Sequence, residues 1–235
     1  MTFAEAAGRL PIVAPESLFA ERGLVVVAPH PDDETLGCGG MLAWAAEQGC
    51  LVHVVFLTDG ERSHPDAKVD LRRIRRGEAL LAATRLGLLP QNISFLGLPD
   101  AGLQMLGELD VAWIRRWVKA LLAERSPCLV AITAPSDPHG DHQAGYAMVA
   151  DAARNLVGVE VMAYPVWSWL LQDVASPLQG VRVDIRRQAA VKKAALEAYA
   201  SQRGRMALDE NGFVLPDELL RHAHADTEVL LHGTL

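Results

Sequence analysis

The chain has 235 residues, half of them hydrophobic and 22% charged, a balance that supports one sizeable folded core and carries no signature of disorder. Its formal net charge is -7 and no run of Lys and Arg is interleaved with aromatics, which argues against nucleic acid as a partner. No apolar run approaches the ~20 residues that cross a bilayer, the start of the chain (Glu5, Arg9, Pro11) lacks a signal-peptide pattern, and the scattered Cys38, Cys50 and Cys128 fit neither a disulfide framework nor a cysteine metal site. A cytoplasmic protein without membrane contact is expected.

In chain order, Leu24 to Ala28 is a short valine-rich run that reads as a buried strand. Leu36 to Gly49 has helical spacing around Met41, Leu42, Ala45 and Ala46, and Leu51 to Leu57 is a second strand. Asp70 to Leu86 reads as a long helix with Gly87 just past its end. A short strand at Ile93 to Leu96 precedes a helix at Gly107 to Glu124. Cys128 to Thr133 is a strand, Asp141 to Leu156 a helix and Val159 to Ala163 a strand. Val181 to Ile185 reads as a strand and Arg187 to Ala200 as a helix. The segment 203–235 has no clear pattern; as an extension it suits a lid or an interface.

This alternation predicts an α/β fold, a Rossmann-like, mostly parallel sheet with helices on both faces. The whole chain is expected to form one domain, with a core at about 24–200. Ligands of such sheets collect beyond the carboxyl ends of the strands, so the loops after Ala28, Leu57, Leu96, Thr133 and Ala163 matter most.

Two of those loops concentrate histidines and acids. The first reads Pro29-His30-Pro31-Asp32-Asp33-Glu34, followed by Thr35-Leu36-Gly37-Cys38-Gly39-Gly40; the second reads Asp137-Pro138-His139-Gly140-Asp141-His142. Acids at a helix start are often caps. Two such clusters at equivalent strand ends offer instead the imidazole and carboxylate ligands of a catalytic metal site, with a position left for water. Gly37, Gly39 and Gly40 match no phosphate-binding pattern and suit close helix–sheet packing. Trp113 and Trp117, four apart, read as core; Trp167 and Trp169, after a strand end, suit a cleft wall. His64 lies in a polar loop near the crevice, and His222 and His224 read as solvated.

The first cluster resembles the first motif of the LmbE-like, or PIG-L type, N-acetylglucosamine deacetylases, and His139-Gly140-Asp141-His142 resembles their second. Leu57-Thr58-Asp59-Gly60-Glu61, Arg75 with Glu78, Leu86-Gly87 and Pro99-Asp100 fit in order between them, so the likeness runs over roughly residues 24 to 200. The resemblance implies a zinc held by His30, Asp33 and His142, with Asp32 as general base for the attacking water and His139 acting on the carbonyl oxygen or leaving amine. It also implies Asp141 as a partner that tunes a histidine, and Arg75 and Asp100 as contacts to a polar sugar; Glu34 reads as a residue behind the ligands or a helix cap, not a ligand. Arg72 to Arg76 equally read as a solvated helix face. A site of two histidines and one aspartate also accepts iron or other divalent transition metals.

The expected activity is zinc-dependent removal of an N-acetyl group from an amino sugar or N-acetylglucosamine conjugate, a small-molecule substrate. The alternatives are a related amidase for a bulkier acyl or thiol conjugate, and a non-catalytic sugar-binding module on the same fold. A two-metal phosphohydrolase is disfavoured by the small number of ligands. Neither the acyl acceptor nor the oligomeric state is encoded in these motifs. The acceptor depends on the loops 62–69, 100–106 and 166–177.

Overall fold

The computed structural model describes residues 1–19, 22–174 and 177–232. The C-terminal tripeptide of the 203–235 segment and residues 175–176 of the loop at 166–177 therefore lie outside the described residues. The chain opens with α1 (Phe3–Ala7), β1 (Ile12–Val13) and α2 (Glu16–Phe19). Thr2 and Glu5 form a reciprocal capping box at the start of α1. The predicted alternation follows as β2 (Gly23–Ala28), α3 (Asp33–Glu47), β3 (Val52–Thr58), α4 (Leu71–Arg85), β4 (Ile93–Leu98), α5 (Glu108–Arg125), β5 (Cys128–Thr133), α6 (Gly140–Ala153) and β6 (Val159–Tyr164). The chain continues through β7 (Gly180–Asp184), α7 (Ala189–Leu196), α8 (Asp217–Ala223) and β8 (Thr227–His232).

All eight strands form one sheet in the order β1-β7-β8-β6-β5-β2-β3-β4. Pairing is parallel throughout except that β8 runs antiparallel to both β6 and β7. The segment after 203 thus contributes a strand to the interior of the sheet. Strand residues alternate between two cores, as the period of two demands. Leu24, Val26, Ala28, Val54 and Phe56 pack with α3, α4 and α7; Val25, Val27, Val55 and Ile132 pack with α5 and α6. Helices therefore cover both faces, and the expected α/β architecture is the one observed.

One sequence expectation fails locally. Trp113 is 44% exposed. The buried stripe of α5 is Ile114, Val118 and Leu122, spaced by four, and Trp113 falls one position off it.

The order of the sheet creates the crevice. From β2 the chain moves out to β3 and β4, then returns across the sheet to β5 on the other side of β2. The loops leaving β2 and β5 consequently diverge from neighbouring strand ends, which is the switch point where open α/β sheets bind ligands.

Candidate metal centre

The β2 loop delivers His30, Asp32 and Asp33, and the β5 loop delivers Asp137, His139, Asp141 and His142. Asp33 Oδ2 lies 3.2 Å from His30 Nδ1 and 3.3 Å from His142 Nε2. These three residues form a buried group able to hold a metal ion; His30, His139 and Asp141 form a second, overlapping one. His142 Nε2 is fully buried and has no hydrogen-bond partner among the described residues, an unusual condition for a ring nitrogen unless it is a ligand. Ligand atoms about 2.1 Å from a tetrahedral ion sit about 3.4 Å apart, close to both separations. The donor set and its spacing fit a divalent transition metal.

Each histidine is fixed through its other nitrogen. His30 Nε2 lies 3.1 Å from Asp141 Oδ2 and 3.2 Å from Asp100 Oδ1. His142 Nδ1 lies 2.8 Å from Asp137 Oδ2. Such carboxylate partners set the ring tautomer and leave the opposite nitrogen's lone pair for a metal. Asp141 in turn accepts the backbone N–H groups of Ala101 and Leu103 at 2.8 and 2.9 Å. Asp137 accepts from Ser168 N at 2.7 Å and Val166 N at 3.1 Å.

Asp32 does not act as a cap. It makes no side-chain bond to the helix it precedes, and its backbone sits at φ 132°, a conformation costing roughly 1–3 kcal/mol that persists where surrounding structure enforces it. The enforcement is visible. Glu34 Oε2 accepts the Asp32 N–H at 3.1 Å, and Arg75 donates to Pro31 O at 2.5 Å and to Asp32 Oδ2 at 3.2 Å. Glu34 is itself held by the Tyr199 hydroxyl at 2.5 Å and by Thr35. Arg75 also donates to Gly60 O at 2.8 Å, and a Cβ on Gly60 (φ +64°) would overlap that guanidinium. Of the arginine cluster, Arg75 points inward, while Arg76 pairs with Asp59 and Arg72 with Glu61 near the surface.

Charge states follow from this packing. Burial pushes the Asp32 carboxyl up to about 8, and Arg75 offsets only part of that. For Asp33 burial acts in the same direction, but the closeness of His142 and His30 outweighs it and holds the carboxyl well below the usual range. Burial lowers the His142 pKa, yet Asp33 and Asp137 together lift it to about 9. His30 is raised above its ordinary value despite burial, through Asp100, Asp141 and Asp33. His139 is lowered by burial and by its two histidine neighbours. Its Nδ1 accepts the Asp141 N–H at 3.2 Å, so a neutral His139 carries its proton on Nε2.

A cleft of about 240 Å³ opens beside this cluster, lined in part by His30, Asp32, Asp33, Arg75, Asp100 and His139. All nine residues singled out in the sequence are brought into one connected network. Trp167 lines the cleft, whereas Trp169 stacks on the half-buried His222 with ring centroids 4.3 Å apart. His64 is buried behind Ser63 and is not in the lining. Asp137 has no role on sequence grounds, although a carboxylate five residues before a candidate ligand histidine in the same loop is a readable signal. Gln202, Phe213 and Leu215 also line the cleft and come from a segment without a legible pattern.

Residues 25–153 match the PIG-L family, described as GlcNAc-PI de-N-acetylase. A 1D-myo-inositol 2-acetamido-2-deoxy-alpha-D-glucopyranoside deacetylase of Rhodococcus jostii (strain RHA1) is 31% identical over 132 residues, 51% of this chain and 44% of that protein. A Bacillus cereus protein named "Probable N-acetyl-alpha-D-glucosaminyl L-malate deacetylase 2" is 29% identical over 142 residues, 57% of this chain and 62% of that protein. The matched stretch thus spans less than two thirds of either relative. Among solved structures, a conserved protein from Thermus thermophilus superposes with a TM-score of 0.65 at 26% identity, over 91% of this chain and 95% of that one.

Proposed function

The chain belongs to the PIG-L family, and from that premise we propose that it is a zinc-dependent hydrolase removing the N-acetyl group from an amino sugar or N-acetylglucosamine conjugate. The observation that carries the reading is the unpartnered, buried His142 Nε2, 3.3 Å from Asp33 Oδ2 and beside His30. His30, Asp33 and His142 would hold the metal. Zinc, when bound, supplies Lewis acidity, which makes water a usable nucleophile near neutral pH and draws charge from a carbonyl oxygen.

The remaining work falls to side chains. Asp32 takes the proton of the attacking water. Its burial gives the carboxylate a high proton affinity, and its bond to Arg75 fixes one oxygen and orients the other. A cation in the adjacent ligand set favours its charged form. Neutral His139, with its proton on Nε2, donates to the oxygen that gains negative charge as the amide carbonyl becomes tetrahedral. Protonation of the leaving amine completes the reaction, with Asp32 returning the proton it took from the water. Arg75 and Asp100 are anchored to protein partners, yet both border the cleft, and a sugar hydroxyl is a reasonable additional partner for each.

The same reading takes 1–235 as one deacetylase domain, supported by the inclusion of β8 in the common sheet. Among the described residues no helix is long and apolar enough to cross a membrane. The three unpaired cysteines suit a reducing, cytoplasmic compartment.

The test is the metal content of the purified protein together with amine release from N-acetylglucosamine and its conjugates. About one zinc per chain and metal-dependent amine release are expected. A protein that takes up no metal on reconstitution would overturn the reading. His142→Ala should lose metal affinity sharply, and unchanged metal content would sink the ligand set.

A further inference from the structure

The cleft lining is divided in character. Beside the polar cluster stand Leu36, Val166, Trp167, Phe213 and Leu215. Trp167 and Phe213 meet edge to face, with ring centroids 5.8 Å apart and planes at 60°, while Leu36, Val166 and Leu215 are each at least nine-tenths buried. This wall is assembled from three separate segments. Leu36 lies on α3 one turn after Asp33, Val166 and Trp167 follow β6, and Phe213 is held against the β3 loop by its N–H donating to Ser63 O at 2.8 Å.

An acetyl group is too small to fill such a wall, and a hexosamine ring could lay only its C–H face on it. An acetyl group presents one methyl, and a sugar presents hydroxyls that need hydrogen-bond partners once buried. Ser63 and Gln202, two of the polar residues that line the cleft with it, are already committed. Ser63 Oγ is 3.0 Å from His64 Nδ1, and Gln202 Nε2 donates to Ser63 Oγ at 3.2 Å and to Ser201 Oγ at 3.0 Å. A second sugar or another polyol against this surface would find few partners, chiefly the exposed Arg62 that also lines the cleft. An apolar ring would be buried at no such penalty and would pack on two aromatic edges.

Resting on the deacetylase reading, we propose that this half of the cleft is a subsite for an apolar, planar aglycone attached to the amino sugar. The substrate is then an N-acetylated aminoglycoside of an aromatic or similarly flat apolar alcohol. Trp167 and Phe213 are its specificity-determining residues.

Binding of the deacetylated products tests the subsite without requiring turnover. The dissociation constants of phenyl and methyl 2-amino-2-deoxyglucoside are measured by calorimetry on the zinc-loaded protein. The phenyl compound is expected to bind about tenfold tighter, from burial of one ring face. That ratio should fall toward one in Trp167→Ala and in Phe213→Ala, two half-buried positions on different segments, so a folding failure in one leaves the other informative. A ratio near one in the unaltered protein overturns the proposal, as does a ratio unchanged in both variants. In Asp32→Asn, N-octanoylglucosamine is compared with N-acetylglucosamine. A gain for the octanoyl compound without a gain for the phenyl glycoside assigns the wall to the acyl group and also overturns the proposal. Since the products carry no amide, absence of amine release would sink the deacetylase reading alone, and loss of the phenyl preference would sink the subsite alone.

Discussion

Asp137 offers the sharpest perturbation of the proposed metal centre, because His142 faces one of its oxygens and Ser168 the other, with the Val166 N–H shared between them. Oδ2 faces His142 Nδ1 at 2.8 Å, and Oδ1 accepts from Ser168 N at 2.7 Å and from the Ser168 hydroxyl at 2.5 Å. Asp137→Asn preserves shape but must put an amide NH2 on one side. Facing Ser168, it opposes a backbone N–H, two donors in a fully buried site, at a penalty of about 1–3 kcal/mol. Facing His142, it donates to Nδ1 and drives the ring proton to Nε2, the nitrogen that would bind the metal. Either choice weakens the site, and loss of such a carboxylate partner typically lowers metal affinity by about 10–100-fold, or about 1.4–2.8 kcal/mol. Competition against a chromophoric chelator reads the affinity, and circular dichroism confirms that the variant is folded. In His142→Ala the Asp137→Asn change should have little further effect on metal affinity, because the two act through one interaction. A folded Asp137→Asn protein with unaltered affinity would refute the assignment of His142 Nε2 as a ligand oriented by Asp137.

Metal binding should strengthen as pH rises. The metal-free His142 holds a proton up to about pH 9, and a ligand nitrogen must release it, so each unit of acidification below that value lowers affinity by up to about tenfold per displaced proton; a pH-independent affinity between pH 6 and 8 would contradict this. Asp32→Asn should keep its metal and lose about 10²–10⁴ in turnover, since it removes a base and not a ligand; loss of metal would reassign the residue. Gly37→Ala drives a Cβ into the Tyr164 ring, and denaturant unfolding should show a loss of about 1–3 kcal/mol or more. Glu228→Gln strips the buried Lys192 ammonium of its counter-charge at 2.8 Å, with an expected destabilisation of about 3–5 kcal/mol; a melting temperature unchanged from that of the unaltered chain would contradict it.

The parallel half of the sheet was legible because its strands are uniform apolar runs, Leu24–Ala28 and Cys128–Thr133 among them, and because they alternate regularly with helical segments. The site was legible for a related reason. Strand ends concentrate ligands, so the two histidine–acid clusters could be read as neighbours although more than 100 residues separate the two loops, and the family resemblance singled out His30, Asp33 and His142 within them. The sequence pattern starts the helix that carries Asp33 at Leu36, whereas it begins at Asp33, inside the acidic cluster. What the sequence hid depends on partners distant along the chain. β8 pairs with β6 and β7 in an antiparallel sense, and nothing in Thr227–His232 names those partners. Phe213 and Leu215 reach the cleft through isolated backbone bonds to Ser63 and Gln202, contacts without periodicity. Arg75 and Asp100 look like free polar groups in sequence, and only the folded chain commits them to Pro31, Gly60, Arg62 and His30.

The hidden strand also bears on the visible site. Glu228 of β8 accepts the N–H groups of Gly40 and Met41 at 2.6 and 2.9 Å, and Lys192 of α7 donates to Leu36 O at 2.8 Å while pairing with Glu228. Leu36 O and Gly40 N are the acceptor and donor of one helical step, so a buried ion pair grips α3 in its second turn. The first turn carries Asp33 and Glu34 and begins at the strained Asp32. Strain at that junction can be relieved if the helix shifts along its axis or unwinds from its N-terminus, and either movement would carry Asp33 away from His142. The ion pair opposes both movements, as does the Tyr164 ring against Gly37. A buried pair is seldom the most stabilising choice for a core, but here it ties elements that share no backbone pairing with α3 to the turn that sets the ligand geometry. The proposed metal site is therefore held from behind by Lys192 and Glu228 as well as from in front by its own loops.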